Sequence, residues 1–600
     1  MKGQWKRVTR RRSSRRYRIA LLGLWLLLPM GCMAQGPEVS VGLYWLREFQ
    51  QLRVVPQQEQ VTVRTCAGCA PVAMSGAVEV RLVNDGLRAG RLRAGERGAE
   101  GATLEFAGRV RLEVPEHAPV TLVLATMLRA ERGRIAVVVR LPLEEYVAGV
   151  LAGESSNFRS VESLKAMAVA ARSYAAHYRG RHGDEGFDFC DTTHCQDLRL
   201  TATSDRLRAA AESTEGELLW FEGRPAATYY HRQCGGTTES AERVWPAAKA
   251  PYLRQQSDHY CVRQGRGEWR SELSRSELRR AVALAGFAPP QEIRAWEIVS
   301  RTPSGRVARV RLEGSTSLQL TAEALRLAVG RAVGWEKIRS DLYDVRSSGD
   351  RFLLHGYGAG HGVGLCQTGA SHMGEAGKTY KEILDFYYPG TALGLTAQGL
   401  RWHALGGERL EILTTRPQQE GFLVEQAEGV LQEMEQTAGW RLQTRPQIRV
   451  YPSIDVYRNA TGKPGWVAAT TRGRVIRLQP AATLRGAGSL SETLRHELLH
   501  MIVESRAHRS LPHWFREGIV LAHTRPRREI PSANLPGLAA IEQALRESRT
   551  LAELRRAYDA AQAQVESLVR QYGRAAVWSW VERGLPASLP PSPAPGSGKR

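Results

Sequence analysis

Leu141-Pro-Leu-Glu-Glu-Tyr-Val-Ala-Gly-Val-Leu-Ala-Gly-Glu154, followed closely by Leu164-Lys-Ala-Met-Ala-Val-Ala-Ala-Arg172-Ser-Tyr174, is the stretch on which the fold turns. The first segment predicts a helix over 143–153, and Ser160 predicts the N-cap of a second over 161–178. Ala166, Ala168, Ala170 and Ala171 give the second helix a face small enough for close packing. Glu154 falls at the end of an apolar helix, where partial burial raises a carboxyl group toward the range of a general acid. Lys165 and Arg172 are seven positions apart and share a helix face. Such a face suits an anionic or polar ligand, while spacing alone favours a surface glutamate and a solvated basic face.

Upstream, from about 39 to 140, short alternating segments such as Val78-Glu-Val-Arg-Leu-Val and Arg111-Leu-Glu-Val are separated by turn residues, the pattern of β-structure. Downstream, strands are expected at 216–221, 226–231 and 307–312, and a linker near 400–410 leads to a further unit. There a helix is expected over 424–438 and strands over 447–451 and 474–478. The fold class is thus α+β multidomain: a β-rich lobe (35–130), an α+β central domain (131–400), an α+β C-terminal domain (408–585) and a disordered Pro/Gly/Ser-rich tail (586–600).

The first 34 residues read as an export signal, with a basic run ahead of an apolar stretch too short to span a bilayer. Cleavage after Ala34 competes with a lipoprotein-type anchor at Cys32, and Ser14-Arg15-Arg16 weakly suggests a twin-arginine signal. The protein is expected in the periplasm or cell envelope. With 83 Lys+Arg against 61 Asp+Glu in 600 residues the net charge is +22. No nucleic-acid-binding motif accompanies it, so anionic wall polymers and membrane headgroups are the expected partners. Of the eight cysteines, Cys66 and Cys69 suit a local disulfide, Cys234 and Cys261 can pair with each other, and Cys366 has no evident partner.

Two further blocks carry chemistry. Cys190-Asp-Thr-Thr-His194-Cys195-Gln196, with His182 just before it, makes either a tetrahedral zinc site or a Cys190–Cys195 disulfide with His194 beside it. In His355-Gly-Tyr-Gly-Ala-Gly-His361-Gly-Val-Gly-Leu-Cys-Gln367-Thr-Gly-Ala370 the glycines clear space for a polymer or another backbone. No Lys-Ser/Thr pair closes that run as a phosphate-binding loop requires.

In this order these blocks resemble the stage II sporulation protein D (SpoIID)/LytB family over about 130–395. The resemblance includes Tyr230-His-Arg-Gln-Cys-Gly-Gly-Thr-Thr, Pro251-Tyr-Leu and Ile383-Leu-Asp-Phe-Tyr-Tyr-Pro-Gly. It implies an exported protein acting on peptidoglycan, either as a lytic transglycosylase on denuded glycan strands or as an enhancer of a wall amidase. It also implies that Glu154 is the catalytic acid and that Lys165, Arg172, Tyr230, His361 and Gln367 serve glycan binding. Zinc would be held by Cys190, His194 and Cys195, with His182 as fourth ligand. A lytic cleavage needs only one carboxylic acid, which protonates the glycosidic oxygen and then deprotonates the sugar hydroxyl that closes an anhydro ring. Hydrolysis needs a second carboxylate, for which Glu144 and Glu145 are the candidates.

Near the C-terminal end, His496-Glu497-Leu498-Leu499-His500 places two imidazoles on one helical face, and Trp514-Phe515-Arg516-Glu517-Gly518 follows. This resembles gluzincin-type metallopeptidases of the peptidase MA-like group over about 408–580. It implies zinc on His496, His500 and Glu517, Glu497 as the base, and a peptide or protein substrate. His523, Tyr558 and Tyr572 are the candidates for stabilising the oxyanion. Three classes of function remain: a wall enzyme with a tethered peptidase, a non-catalytic amidase enhancer, and a metallopeptidase whose central domain binds glycan.

Overall fold

The computed structural model describes residues 38–586 except 59–60, 67, 85, 95–101, 123–124, 156–157, 527–535 and 548–549. The expected signal at 1–34, with Cys32, and the tail beyond residue 586 lie outside the described residues. The chain is the α+β multidomain protein expected, with β-rich N-terminal sheets followed by mixed regions.

Three buried cores organise it. The first is built on a seven-stranded sheet that crosses the boundary expected at 130. Strand β1 (Glu38–Leu43) pairs antiparallel with β2 (Arg134–Pro142) and parallel with the short β3 (Phe189–Cys190). Val39, Val41 and Val139, all buried, alternate inward on these strands. A six-stranded antiparallel sheet packs its Leu52, Val54, Val80 and Leu87 into the same core. The N-terminal lobe and the central domain therefore share one interior, because the strand that leads into the first helix is paired to the first strand of the lobe.

That helix, α1 (Leu143–Glu154), buries every residue from Tyr146 to Ala152. Glu144 and Glu145 sit in its first turn, where carboxylates favour the positive end of the helix dipole. The next, α2 (Val161–His177), starts as expected at Ser160, whose hydroxyl accepts from the Glu162 N–H, and its alanine face is fully buried. The strand expected over 226–231 shortens to β4 (Tyr230–His231), which pairs in parallel with β5 (Leu365–Cys366). Cys366 then caps α3 (Gln367–Glu375).

The second core, from Trp269 to Leu354, belongs to a lobe inserted between Cys261 and Val363, residues of the first. It has two three-stranded sheets and the helices Arg275–Leu284 and Ala322–Ala332. The third core covers the C-terminal domain. Its five-stranded sheet runs His403–Gly406, Glu411–Thr414, β6 (Gln447–Val450), then the strand Val475–Leu478, with β7 (Ala469–Arg472) as an antiparallel edge. The helix expected over 424–438 begins at Phe422. Three more helices complete the site-bearing part: α4 (Leu490–Arg506), α5 (His513–Thr524) and α6 (Leu551–Tyr572).

A buried ion triad joins the central and C-terminal domains. Glu215 accepts from Arg477 through both carboxylate oxygens at 2.7 Å and from Arg449 at 2.5 Å. Burial alone would raise this carboxyl group, but the two guanidinium groups hold it below its usual range. Removing the carboxylate strands two buried cations. Glu215→Ala is therefore expected to cost about 3–5 kcal/mol and to lower the thermal unfolding temperature clearly. A melting curve superimposable on the wild type would contradict this packing.

Candidate functional site

Glu154 is the last residue of α1, and two segments distant in sequence grip its carboxyl group. Oε1 accepts from the Asp197 backbone N–H at 2.9 Å, and Oε2 accepts from the Gln367 side-chain amide at 2.9 Å. Burial raises the Glu154 carboxyl above its ordinary value, while these two donors pull against that rise by favouring the anion. Burial thus favours the protonated form more than it would in a free carboxyl group, in a cradle that also accepts the ionised form. That is the requirement for one group to act first as acid and then as base.

The Asp197 N–H reaches Glu154 because α1 carries glycine at positions 149 and 153. A Cβ on Gly153 would lie 2.1 Å from the Asp197 carbonyl oxygen, and one on Gly149 would lie 2.7 Å from Leu198 Cδ1. The loop therefore rests flat on the helix, where Arg199 N–H also donates to Gly149 O at 3.0 Å. Gln196 extends the network. It accepts from the Tyr146 hydroxyl at 2.9 Å and donates to the Tyr230 hydroxyl at 2.8 Å. Sequence reasoning missed the roles of Gln196 and Asp197; the glycines four apart on an apolar helix were the available signal.

The same loop carries the cysteine and histidine cluster. Cys190 and Cys195 are free and buried, and the ligand atoms of His182, Cys190, His194 and Cys195 all lie within 4.8 Å of one another. His194 Nδ1 is 3.7 Å from Cys190 Sγ and 3.9 Å from Cys195 Sγ. His182 Nδ1 is paired with the Glu185 carboxylate at 2.6 Å, while its buried Nε2 has no hydrogen-bond partner. A carboxylate behind an imidazole whose other nitrogen is unpartnered is the usual support of a metal-ligating histidine. The hydrogen bond from the Cys195 thiol holds the Cys190 thiol below its ordinary value, the direction that suits a ligating sulfur. Two sulfurs and two imidazoles fit a tetrahedral zinc ion.

Other expected positions lie elsewhere. Arg172 is completely buried and does not share a ligand-facing surface with Lys165. Its Nε donates to Glu144 at 2.8 Å, and it also reaches Thr214, Ala211 O and Glu217 O, so it ties α1 and α2 to the following segment. A cation so fully paired has no donor left for a ligand. Lys165 pairs with Glu162 at 2.7 Å and lies over the Tyr380 ring. His361 stands in an aromatic group with Tyr229, His231 and Trp245. Burial and the neighbouring His231 keep it neutral, and its Nδ1 accepts from the Val363 N–H. Glu144 is held by Arg172 and Glu145 by Arg472, so neither serves as a second carboxylate beside Glu154. Asp197 is the nearer one, and Arg199 engages both of its oxygens, at 2.9 and 3.3 Å.

In the C-terminal domain, α4 and α5 bring His496, His500 and Glu517 together with ligand atoms within 4.8 Å. Glu517 Oε2 is 3.2 Å from His500 Nε2 and 3.9 Å from His496 Nε2, and His513 supports its other oxygen at 3.3 Å. Buried Glu497 is raised above its ordinary value by desolvation and accepts a short hydrogen bond from the Thr471 hydroxyl on β7. Gly518 lets α5 meet α6 closely, since a Cβ there would lie 2.5 Å from Ala561 O. On α6, Tyr558 is raised by burial and by the Glu517 and Glu497 charges, which places it beside the cluster. His523, bound to Ile519 O and packed on Trp578, and Tyr572, packed on Trp580, are turned to other partners.

The region that carries the first of these sites is similar to known proteins. The family model described as stage II sporulation protein (SpoIID) matches residues 131–221, and one described as a domain of unknown function (DUF8618) matches 263–364, the inserted lobe. An uncharacterized protein of Brachyspira hyodysenteriae is 33% identical over 257 residues, 42% of this chain and 67% of its own length. Stage II sporulation protein D of Bacillus subtilis is 28% identical over 274 residues, 43% of this chain and 75% of its own. The amidase enhancer of Bacillus subtilis is 26% identical over 297 residues, covering 41% of this chain and 40% of that protein. The chain belongs to the stage II sporulation protein D family, and through it to proteins of the cell envelope.

Glycine in a helix normally costs about 1 kcal/mol relative to alanine. At position 153 the sign is expected to reverse: Gly153→Ala should lower the melting temperature, because the methyl group drives the Asp197 loop off the helix. A stabilised variant would contradict the close approach.

Proposed function

We propose that this chain is an exported peptidoglycan-acting enzyme whose central domain cleaves glycan strands by a lytic, single-acid reaction at Glu154. The carrying observation is the Glu154 carboxyl group itself, raised by burial and held between the Asp197 N–H and Gln367. As the acid, Glu154 delivers its proton to the glycosidic oxygen. As the resulting carboxylate, stabilised by the two donors, it takes the proton of the sugar hydroxyl that closes the anhydro ring. The products are one strand that ends in an anhydro sugar and a second on which the former glycosidic oxygen is a free hydroxyl. Water is no reactant, so no second carboxylate is needed, and Asp197 remains tied to Arg199 as a positioning group.

The C-terminal domain is proposed as a zinc peptidase acting near the wall. His496, His500 and Glu517 fit zinc, which when bound supplies Lewis-acid polarisation of a carbonyl and of water. Glu497 is placed to take a proton, Tyr558 is the residue suited to the oxyanion, and β7, which carries Thr471, is the edge strand beside which an extended peptide would lie. Among the described residues no helix is long and apolar enough to cross a membrane.

A second reading is favoured by the similarity to the amidase enhancer: the central domain would bind glycan and stimulate an amidase, with Glu154 structural. Mass spectrometry of denuded glycan strands after incubation separates the two. Anhydro-sugar ends are expected from the wild type and from Asp197→Asn, with a loss of about 10²–10⁴-fold in Glu154→Gln. Full activity in Glu154→Gln, or no products from the wild type, would overturn the enzymatic reading.

The pH profile gives an independent check. Activity requires protonated Glu154 and falls as pH rises through its pKa. Gln367 donates to the anion and so lowers that pKa. Gln367→Ala should therefore move the alkaline limb of kcat/KM to higher pH, and an unmoved limb would exclude the contact. In the C-terminal domain, Glu497→Gln should abolish hydrolysis of a susceptible peptide while zinc remains bound, whereas His500→Ala should lose both. Equal zinc in His500→Ala and wild type would remove the proposed centre.

A further inference from the structure

A different cluster lies at the root of the inserted lobe. Cys234, Asp258, Cys261 and Cys366 are all buried, and their ligand atoms lie within 4.8 Å of one another. They come from three separate places: the turn after β4, the loop that leads into the lobe, which carries both Asp258 and Cys261, and the N-cap of α3. The expectation that Cys366 lacks a partner fails for that reason. It faces Cys234 and Cys261, the two cysteines that could pair with each other.

Backbone N–H groups converge on all three sulfurs. Gly236 donates to Cys234 Sγ at 3.4 Å, while Cys234 and Gly369 donate to Cys366 Sγ at 3.3 and 3.4 Å. Cys261 Sγ receives a backbone hydrogen bond from Gly235. Gly235 and Gly236 have φ of +73° and +110°, the conformations that wrap this turn around sulfur. On Asp258, Oδ1 accepts from the Cys261 N–H at 2.9 Å and Oδ2 from the Tyr387 hydroxyl at 2.9 Å, with the Cys234 thiol at 3.3 Å. Gly369 is required for this approach, since a Cβ there would stand 2.1 Å from Tyr387 Oη and 2.6 Å from Asp258 Oδ2.

Donors aimed at sulfur stabilise thiolates, and a dry pocket cannot hold several anions without a cation. A disulfide between any two of these cysteines would use two sulfurs. It would leave the third thiol buried beside the Asp258 carboxylate with no use for the converging donors. Three soft thiolates and one carboxylate in a compact group match zinc, and they disfavour magnesium and calcium, which take oxygen ligands. We propose that Cys234, Asp258, Cys261 and Cys366 form a second metal site of the central domain and take one zinc ion. Binding releases the thiol protons to solvent, leaves Asp258 bound as carboxylate, and involves no change of oxidation state.

The placement gives the site a task. Cys261 and Cys366 flank the inserted lobe, so one ion closes both of its roots onto the first core. Cys366 also precedes Gln367, whose amide reaches Glu154. The ion is therefore a positioning element for the end of α3, independent of whether Glu154 is catalytic.

Zinc content of the purified full chain tests this directly. Cys261→Ser is expected to bind about one ion fewer than wild type, and the loss should add to that of Cys190→Ser, which reports on the other cluster. Wild-type zinc in a folded Cys261→Ser would overturn the site. Should that variant not fold, alkylation of the wild-type chain decides: chelation is expected to expose Cys234, Cys261 and Cys366 to iodoacetamide together. Unchanged labelling after zinc removal, or a disulfide among these three cysteines in the unreduced protein, would equally overturn it.

Discussion

The hydrogen-bonded cradle of the Glu154 carboxyl group is the contact around which the central domain is arranged. One donor arrives from a loop lying on the helix that carries the glutamate, the other from a helix more than two hundred positions downstream. Neither donor is useful unless its carrier is fixed. On one side the Cys190 to Cys195 cluster and the flat surface of Gly149 and Gly153 fix the loop. On the other, the parallel pair β4–β5 and the cysteines beside it fix the start of α3. Burial raises the pKa, the donors temper the rise, and the balance leaves a carboxyl group suited to giving and retaking a proton.

The remaining parts are attached to this frame by polar, buried joints rather than by apolar surface alone. Arg172 is spent inside the domain, linking Glu144 of α1 to the carbonyls of the next segment. Glu215 is spent between domains, on Arg449 and Arg477. Buried charges of this kind are expensive to break and weakly stabilising to make, so their effect is to define one arrangement. The C-terminal site sits on its own core, with its own candidate metal-ligand set, and among the described residues its domain meets the centre at that joint and at surface contacts such as Arg472 with Glu145.

Local pattern made much of this legible. The helices around Glu154 follow from apolar spacing and the Ser160 cap, and the His496/His500 pair follows from the helical repeat. The cysteine and histidine block at 182–195 was recognisable from its density of ligands, though not its choice between metal and disulfide. What stayed hidden depends on distant partners. Whether Arg172 faces ligand or core is decided by Glu144 and Thr214, and the backbone N–H of Asp197 has no side-chain signature at all. That strands on either side of residue 130 share one core was not legible, because pairing of β1 with β2 and β3 is a tertiary event. Cys366 looked solitary because its neighbours are more than a hundred positions away. The inserted lobe interrupts the domain without any compositional change at its roots, and its separate core is visible only once the side chains are packed.

The most direct measurement is the titration of Glu154 itself in the intact protein, followed by carboxyl ¹³C NMR with glutamate-selective labelling and assigned by difference against Glu154→Gln. The account predicts a resonance that titrates above the ordinary glutamate value of 4.5 and moves higher still in Gln367→Ala. Titration at or below that value, unaffected by Gln367, would contradict the buried, two-donor cradle and the acid–base role derived from it.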